Sequence, residues 1–196
     1  MLNRMADSYH HGSLKQQVME SAANAIARSG PDSLSLRQLA RLAGVTHGAP
    51  AYHFGSRRGL FTALAVEGFA GLADALESPN QQGDFAEAAV EYVRFALARP
   101  GNYAVMFRAD LLEETAELRT QRERAAAALE TGLATLPEGA LTVPFDVARR
   151  AAWSLVHGLA SLAQAGALGD ADPLALARAA ARQLFPPTTT PRMVNA

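Results

Sequence analysis

The chain contains no cysteine, which excludes a disulfide framework, a thiolate zinc site and a cysteine nucleophile. It shows no apolar run near the roughly 18 residues that a membrane span needs, so no membrane partner is expected. The polar stretch Met1 to His11 lacks the apolar centre of a secretory signal, and a cytoplasmic location is the resulting expectation. Strand-type alternation of β-branched and polar residues is nearly absent. There is no phosphate loop, no His-Glu-x-x-His pattern, no Gly-x-Ser-x-Gly elbow and no dinucleotide fingerprint. Beyond residue 60 the one histidine is His157, with no acid pair beside it in sequence. No catalytic residue, metal ligand or cofactor is assigned, and the pattern argues against an enzyme.

What is present is apolar and helix-forming. Of 196 residues, 49% are hydrophobic, enough for a core. Alanine and leucine dominate, and both favour helix. No internal repeat is visible. Charge is unevenly placed. Residues 1–60 carry seven Lys/Arg against three acids, and four of the five histidines. Residues 61–196 carry eleven basic and sixteen acidic side chains. A small basic head on an acidic body suits a head that meets a polyanion; chance variation is the plainer alternative.

Caps divide the chain into helices. Ser13 caps a predicted helix over 14–29, with Val18, Ala22, Ala25 and Ile26 on its apolar face and Gly30-Pro31 ending it. Ser35 caps a short helix over 36–43, and Gly44 follows where a left-handed residue is wanted. Thr46 is the expected cap of a helix over 47–54, and Ser56 of a longer one from Arg57 to about Glu77. Pro79 and Gly83 mark a linker. Asp84 caps 85–98, Asn102 caps 103–112, and a mixed-charge helix covers 114–136. After a loop at 137–145 come helices over 146–168 and from Asp172-Pro173 to about Phe185. The boundaries expected are 9–60 for the head, 61–186 for the body and 187–196 for a disordered tail.

The stretch Leu34–Leu60 is the most informative. A helix of about eight residues, a turn containing Gly44 and a second short helix form a helix-turn-helix. Leu36, Leu39, Ala40, Val45 and Phe54 can fix the angle between the two helices. The second can then enter a major groove, which is about one helix wide. Gly48 and Ala49 permit close approach, and Thr46 and His47 can reach base edges or phosphates. Arg57 and Arg58 open the next helix, where the dipole and free amides favour a phosphate.

The runs Tyr9-His10-His11-Gly12-Ser13-Leu14, Ser35-Leu36-Arg37-Gln38-Leu39-Ala40, Gly44-Val45 and Tyr52-His53-Phe54-Gly55-Ser56-Arg57 resemble the N-terminal domain of TetR-type transcriptional regulators, over about residues 9–64. The resemblance implies an all-α protein: a three-helix helix-turn-helix domain, then a C-terminal helical ligand-binding and dimerisation bundle. It also implies a homodimer on a palindromic DNA operator. Ser35, Arg37, Tyr52 and Arg57 are the expected phosphate contacts; Thr46, His47 and Ala49 the base-facing candidates; Gly48 and His53 complete the DNA-binding set. Ser35 can equally be only a cap, and Tyr52 and His53 can be packing residues. The family usually has a phosphate-contacting tyrosine at the position of Ala51, so Tyr52 must serve. Pro50, counted from a Thr46 cap, is the fourth helical residue and removes one hydrogen bond. His10-His11 reads as an arm near DNA.

In the body, Ala151-Ala152-Trp153-Ser154-Leu155-Val156-His157-Gly158-Leu159 resembles the signature of one TetR subgroup with Trp, His and Gly at this spacing. Trp153 and His157 share a helix face, as a pocket wall or as plain core. Tyr103, Met106 and Phe107 cluster on one short helix, and Tyr92 and Phe95 on another. These seven form the expected site for a small, largely apolar effector, with simple core as the alternative for each. Gly158 inside a helix costs on the order of 1 kcal/mol against alanine, which a close crossing or dimer contact would explain. The last two helices are apolar on more than one face, so a second copy is expected to cover them. The function expected is an effector-released repressor; the alternative is an effector-independent DNA-binding dimer.

Overall fold

The computed structural model describes residues 2–81 and 84–185, with side chains described for 14–78 and 84–185. Among these residues there are nine α-helices and no strand: α1 (Leu2–Ser29), α2 (Leu36–Ala43), α3 (Ala49–Phe54), α4 (Arg57–Gln81), α5 (Phe85–Ala98), α6 (Pro100–Met106), α7 (Ala116–Ala134), α8 (Phe145–Gln164) and α9 (Pro173–Leu184). Short 3-10 turns lie at Pro31–Ser33 and Ala109–Leu111. The expected all-α class is what is observed. The 187–196 tail, Gly83 of the expected linker, and the side chains of Ser13, His10 and His11 lie outside the described residues.

Many helix ends fall where capping chemistry puts them. Asp84 Oδ1 accepts from Glu87 N at 3.0 Å, and Asp172 Oδ1 from Leu174 N at 2.9 Å. Pro173 follows at the first helical position, where its missing N–H is not needed. Ser56 Oγ accepts from Gly59 N at 2.8 Å and starts α4.

Other ends differ from expectation. α1 continues back to Leu2 through Gly12 and Ser13 instead of starting at Leu14; one glycine costs only about 1 kcal/mol. α4 passes Pro79 and ends at Gln81. α6 opens at Pro100, so Asn102 is inside it and buried rather than its cap. α8 ends at Gln164, short of Leu168, with the chain turning at Gly166 (φ 67°). One helix also corrects the reading that no run is apolar enough to span a membrane. Residues Arg57–Ser78 of α4 pass that test by length and composition, and more than half of the apolar window is buried inside the protein, as in a core helix.

The chain folds into two compact units, neither continuous in sequence. The first joins residues up to Ala70 with Arg99–Glu123. Val18, Ala22, Ala25 and Ile26 of α1 are buried, as their spacing predicts, together with Leu39, Leu60, Phe61 and Leu64. Each large side chain so buried contributes about 1.5–3 kcal/mol. α6 packs on α1 with very little clearance, because a Cβ at Gly101 would lie 2.0 Å from the Ala23 carbonyl oxygen. Asn102 then reaches across, its amide donating to Leu64 O at 3.1 Å and to Glu67 Oε2 at 3.2 Å. That pairing is why a polar side chain can be buried here.

The second unit joins Gly71–Ala98 with residues from Arg124 on. Within it α5, α8 and α9 pack pairwise. Phe85 and Phe185 meet edge to face at 5.1 Å. Arg178 of α9 grips Glu87 of α5 with two nitrogens at 2.8–3.2 Å. Gln164 donates to Ala96 O at 2.8 Å. A Cβ on Gly158 would meet open space, so among the described residues no other helix crosses closely there.

Candidate nucleic-acid interface

The helix-turn-helix is set by short-range chemistry. Ser35 closes a capping box on α2: Ser35 Oγ accepts from Gln38 N at 3.2 Å, and Gln38 Oε1 accepts from Ser35 N at 3.0 Å. At the other end Gly44 takes φ 66°, ψ 27°, and Val45 N reaches back to Ala40 O at 3.0 Å. This is a Schellman ending, and the left-handed residue strongly favours glycine. The turn Val45–Gly48 leads into α3, which starts at Ala49 rather than His47. Its cap is Gly48, with no side-chain bond from Thr46. The later start places Pro50 second in the helix, where no intrahelical partner is required of its nitrogen. The hydrogen bond expected to be lost is therefore not lost; the first one runs from Tyr52 N to Gly48 O at 2.9 Å.

The predicted residues occupy different environments. Ser35, Arg37, Thr46, His47 and Gly48 are exposed, and Tyr52 is 79% exposed. Ala49 differs from its base-facing expectation: it is only 8% exposed and packs inward with Pro50. His53 is half-buried, its ring edge-on to Tyr52 at 5.2 Å and to Phe54 at 6.2 Å. Arg57 is also half-buried. Its Nη2 donates to Pro31 O at 2.6 Å, its charge lies 4.9 Å from the Phe61 ring centre, and its Nε is buried without a hydrogen-bond partner. Much of that guanidinium is thus spent inside the head.

Ser35, Arg37 and His47 are brought together around one open groove of about 380 Å3, which Gln38, Ala40, Arg41 and Val45 also line. Sequence reading passed over Arg41. Its position four residues after Arg37 on one helix was the available signal. The groove pairs two guanidinium groups with a hydroxyl and an amide, a donor-rich lining suited to phosphate oxygens.

The seven expected effector residues divide between the two units. In the first, Tyr103 and Met106 are buried, and Phe107 reaches the surface. Phe107 meets Tyr103 at 5.4 Å and Phe69 at 5.5 Å, both edge-on. Phe69, missed by the sequence reading, also carries the Arg122 guanidinium at 5.8 Å. In the second unit Tyr92 and Phe95 are buried on α5. The Tyr92 hydroxyl and His157 Nδ1 lie 3.2 Å apart, and Trp153, 43% exposed, lies 5.8 Å from the His157 ring. Partial burial holds His157 below its ordinary pKa, so it favours the neutral form. Among the described residues no group of three or more His, Asp or Glu is placed to hold a metal.

Residues 85–184 match the family profile described as "Tetracyclin repressor-like, C-terminal domain", and residues 18–64 match "Bacterial regulatory proteins, tetR family". The chain belongs to the TetR family of transcriptional regulators. Among curated members, it is 31% identical over 106 residues to the HTH-type transcriptional repressor AcnR of Corynebacterium glutamicum, covering 54% of this chain and 51% of that protein. The chain spans about half the length of the curated relatives it matches. A protein of unknown function from Rhodococcus sp. RHA1 shares 32% identity and a TM-score of 0.74, over 90% of this chain and 96% of that one. The TetR-type fold also recurs in AibR, solved with isovaleryl coenzyme A and operator DNA, at 16% identity and a TM-score of 0.71, over 89% of this chain and all of that one.

Proposed function

We propose that this TetR-family protein is a cytoplasmic repressor that binds a palindromic operator as a homodimer and is released by a small, largely apolar effector. The observation that carries the reading is the surface of the helix-turn-helix: Thr46, His47 and Tyr52 stand exposed, and His47 lines a groove with Arg37 and Arg41. Thr46 and His47 are assigned to base edges. Arg37, Arg41, Tyr52 and Ser35 are assigned to phosphate, with Gly48 allowing close approach and His53 supporting Tyr52. Arg57 is kept as a phosphate contact through the part of its guanidinium not spent on Pro31. Repression is supported by the name of the AcnR relatives, and an acyl-type effector by the AibR complex. No catalytic step enters this reading.

Dimerisation is supported by an apolar stripe that is exposed among the described residues. On α8, Val147, Ala151, Gly158 and Leu162 recur at helical spacing, and Val147 and Leu162 are 45% and 47% exposed. Leu184 of α9 is exposed as well. The open space at Gly158 fits a crossing helix from a second copy. Two heads so joined would read half-sites roughly 34–36 Å apart, or a multiple. An effector with different affinity for two head spacings would then control binding. Tyr92, Phe95, Trp153 and His157 within the second unit, and Tyr103, Met106 and Phe107 within the first, are proposed as two separate groups of effector contacts, in the subgroup marked by Trp153, His157 and Gly158.

Selection of bound duplexes from a random pool, repeated with a panel of short acyl compounds, tests the whole reading. A palindrome should emerge, and at least one compound should release it. A second reading, the effector-independent dimer, is favoured by the closed burial of Tyr92, Phe95, Tyr103 and Met106. A palindrome that no compound releases would select it.

A further inference from the structure

The turn that joins α3 to α4 is held by a segment far away in sequence. Leu112 and Glu113, between α6 and α7, lie against it within the first unit. Ser56 Oγ donates to Glu113 Oε1 at 2.7 Å. Arg58 donates through Nη2 to the Leu112 carbonyl. Thr62, one of the few buried polar side chains at 5% exposure, locks both sides: its hydroxyl accepts from Glu113 N at 2.8 Å and donates to Arg58 O at 2.8 Å. Asp110 lies close by, its carboxyl held below the usual range mainly by its bond to Arg108, with a smaller contribution from the Arg58 charge.

This strap takes up the groups that a polyanion arriving at the turn would use. The Ser56 hydroxyl is given to a carboxylate, and part of the Arg58 guanidinium to a carbonyl. Glu113 itself is exposed, so its negative charge faces whatever approaches. Like charges at short range disfavour each other, and water and salt screen the effect without removing it. We propose that the Leu112–Glu113 strap is a built-in restraint on DNA binding, in which the Glu113 carboxylate competes with a backbone phosphate for Ser56 while the Leu112 carbonyl holds Arg58. The strap follows α6 through Phe107, Arg108 and the 3-10 turn Ala109–Leu111. The inference rests on the reading that the head binds DNA.

The test uses the full chain and a fixed non-specific duplex over a series of salt concentrations. Glu113→Gln keeps an acceptor for Ser56 and removes the charge. It should tighten binding about 3- to 10-fold at low salt, by removing a repelling charge, and steepen the dependence on log salt by less than the roughly 0.9 of a full phosphate contact, since Leu112 still holds Arg58. Glu113→Asp keeps the charge and only shortens the reach to Ser56, so it should bind more weakly than the Gln variant. Glu113 is exposed, so folding should be unaffected, which helicity and the melting temperature check. Unchanged or weaker binding by the Gln variant, with the parent binding normally, overturns the strap and leaves the DNA-binding reading standing. If the parent binds no duplex at all, the reading itself fails and the strap with it.

Discussion

The two units place their chemistry differently. In the first, a few local bonds fix the geometry of the reading helix: the Ser35–Gln38 box, the left-handed Gly44 and the late start of α3 at Ala49. Its polar residues face outward, and its long-range bonds, such as Asn102 to Leu64 and Thr62 to Glu113, anchor that geometry. In the second unit the caps are equally local, at Asp84 and Asp172. Yet α8 presents apolar side chains outward, with Val147, Trp153 and Leu162 all exposed. A unit that shows polar donors suits a charged partner, and one that shows aliphatic surface suits another copy of itself.

The contrast can be broken most severely on α8. Leu162→Arg puts a charge into the proposed subunit contact, where burial without a partner is costly. Dimers should become monomers by analytical ultracentrifugation, and operator affinity should fall by about 100-fold or more, since each half-site then binds alone. An unchanged dimer would remove α8 from the interface. Gly101→Ala comes next. The added methyl meets the Ala23 carbonyl, so α6 must back away from α1. Overpacking of this kind costs about 1–3 kcal/mol, read as a lower urea midpoint; full parental stability would show that the close contact is dispensable.

Arg57→Ala sharpens the comparison from the head side. It should weaken binding to all duplexes alike and lower the salt slope by about 0.9 for one lost phosphate. A loss of stability with an unchanged slope would instead assign Arg57 wholly to Pro31 and Phe61. The smallest effect is expected from His157. Its pKa is depressed in the folded state, so the unfolded chain protonates first as pH falls. Stability should be complete above the ordinary histidine pKa of about 6.5 and decline as pH drops below it. His157→Gln should flatten that window in urea titrations at successive pH values.

What was legible in the sequence was short-range. Ser35, Asp84 and Asp172 cap where they were expected, because a cap needs only the next two or three residues. α3 was read two residues too long because His47 and Gly48 carry no strong stop signal, and Pro50 alone indicated the later start. Asn102 was read as a cap because its true partners, Leu64 and Glu67, are more than thirty positions away. The same distance hid the strap, since nothing near Glu113 announces Ser56. Phe69 was passed over because α4 is apolar around much of its circumference, and only the fold shows which side meets Phe107. The motifs of the family resemblance lie close together in sequence and fall largely within the 18–64 match, whereas the expected effector residues are split between the two units, and clustering along a chain carries no information on partners far away in sequence.

The discontinuous first unit has a consequence for synthesis. Its final segment, Arg99–Glu123, is translated only after the first stretch of the other unit, Gly71–Ala98, has been made. A ribosome that stops after α3 releases a reading helix without the α6 and Leu112–Glu113 contacts that brace it. Premature termination should therefore yield inert fragments, with little power to occupy operator sites in place of the complete protein.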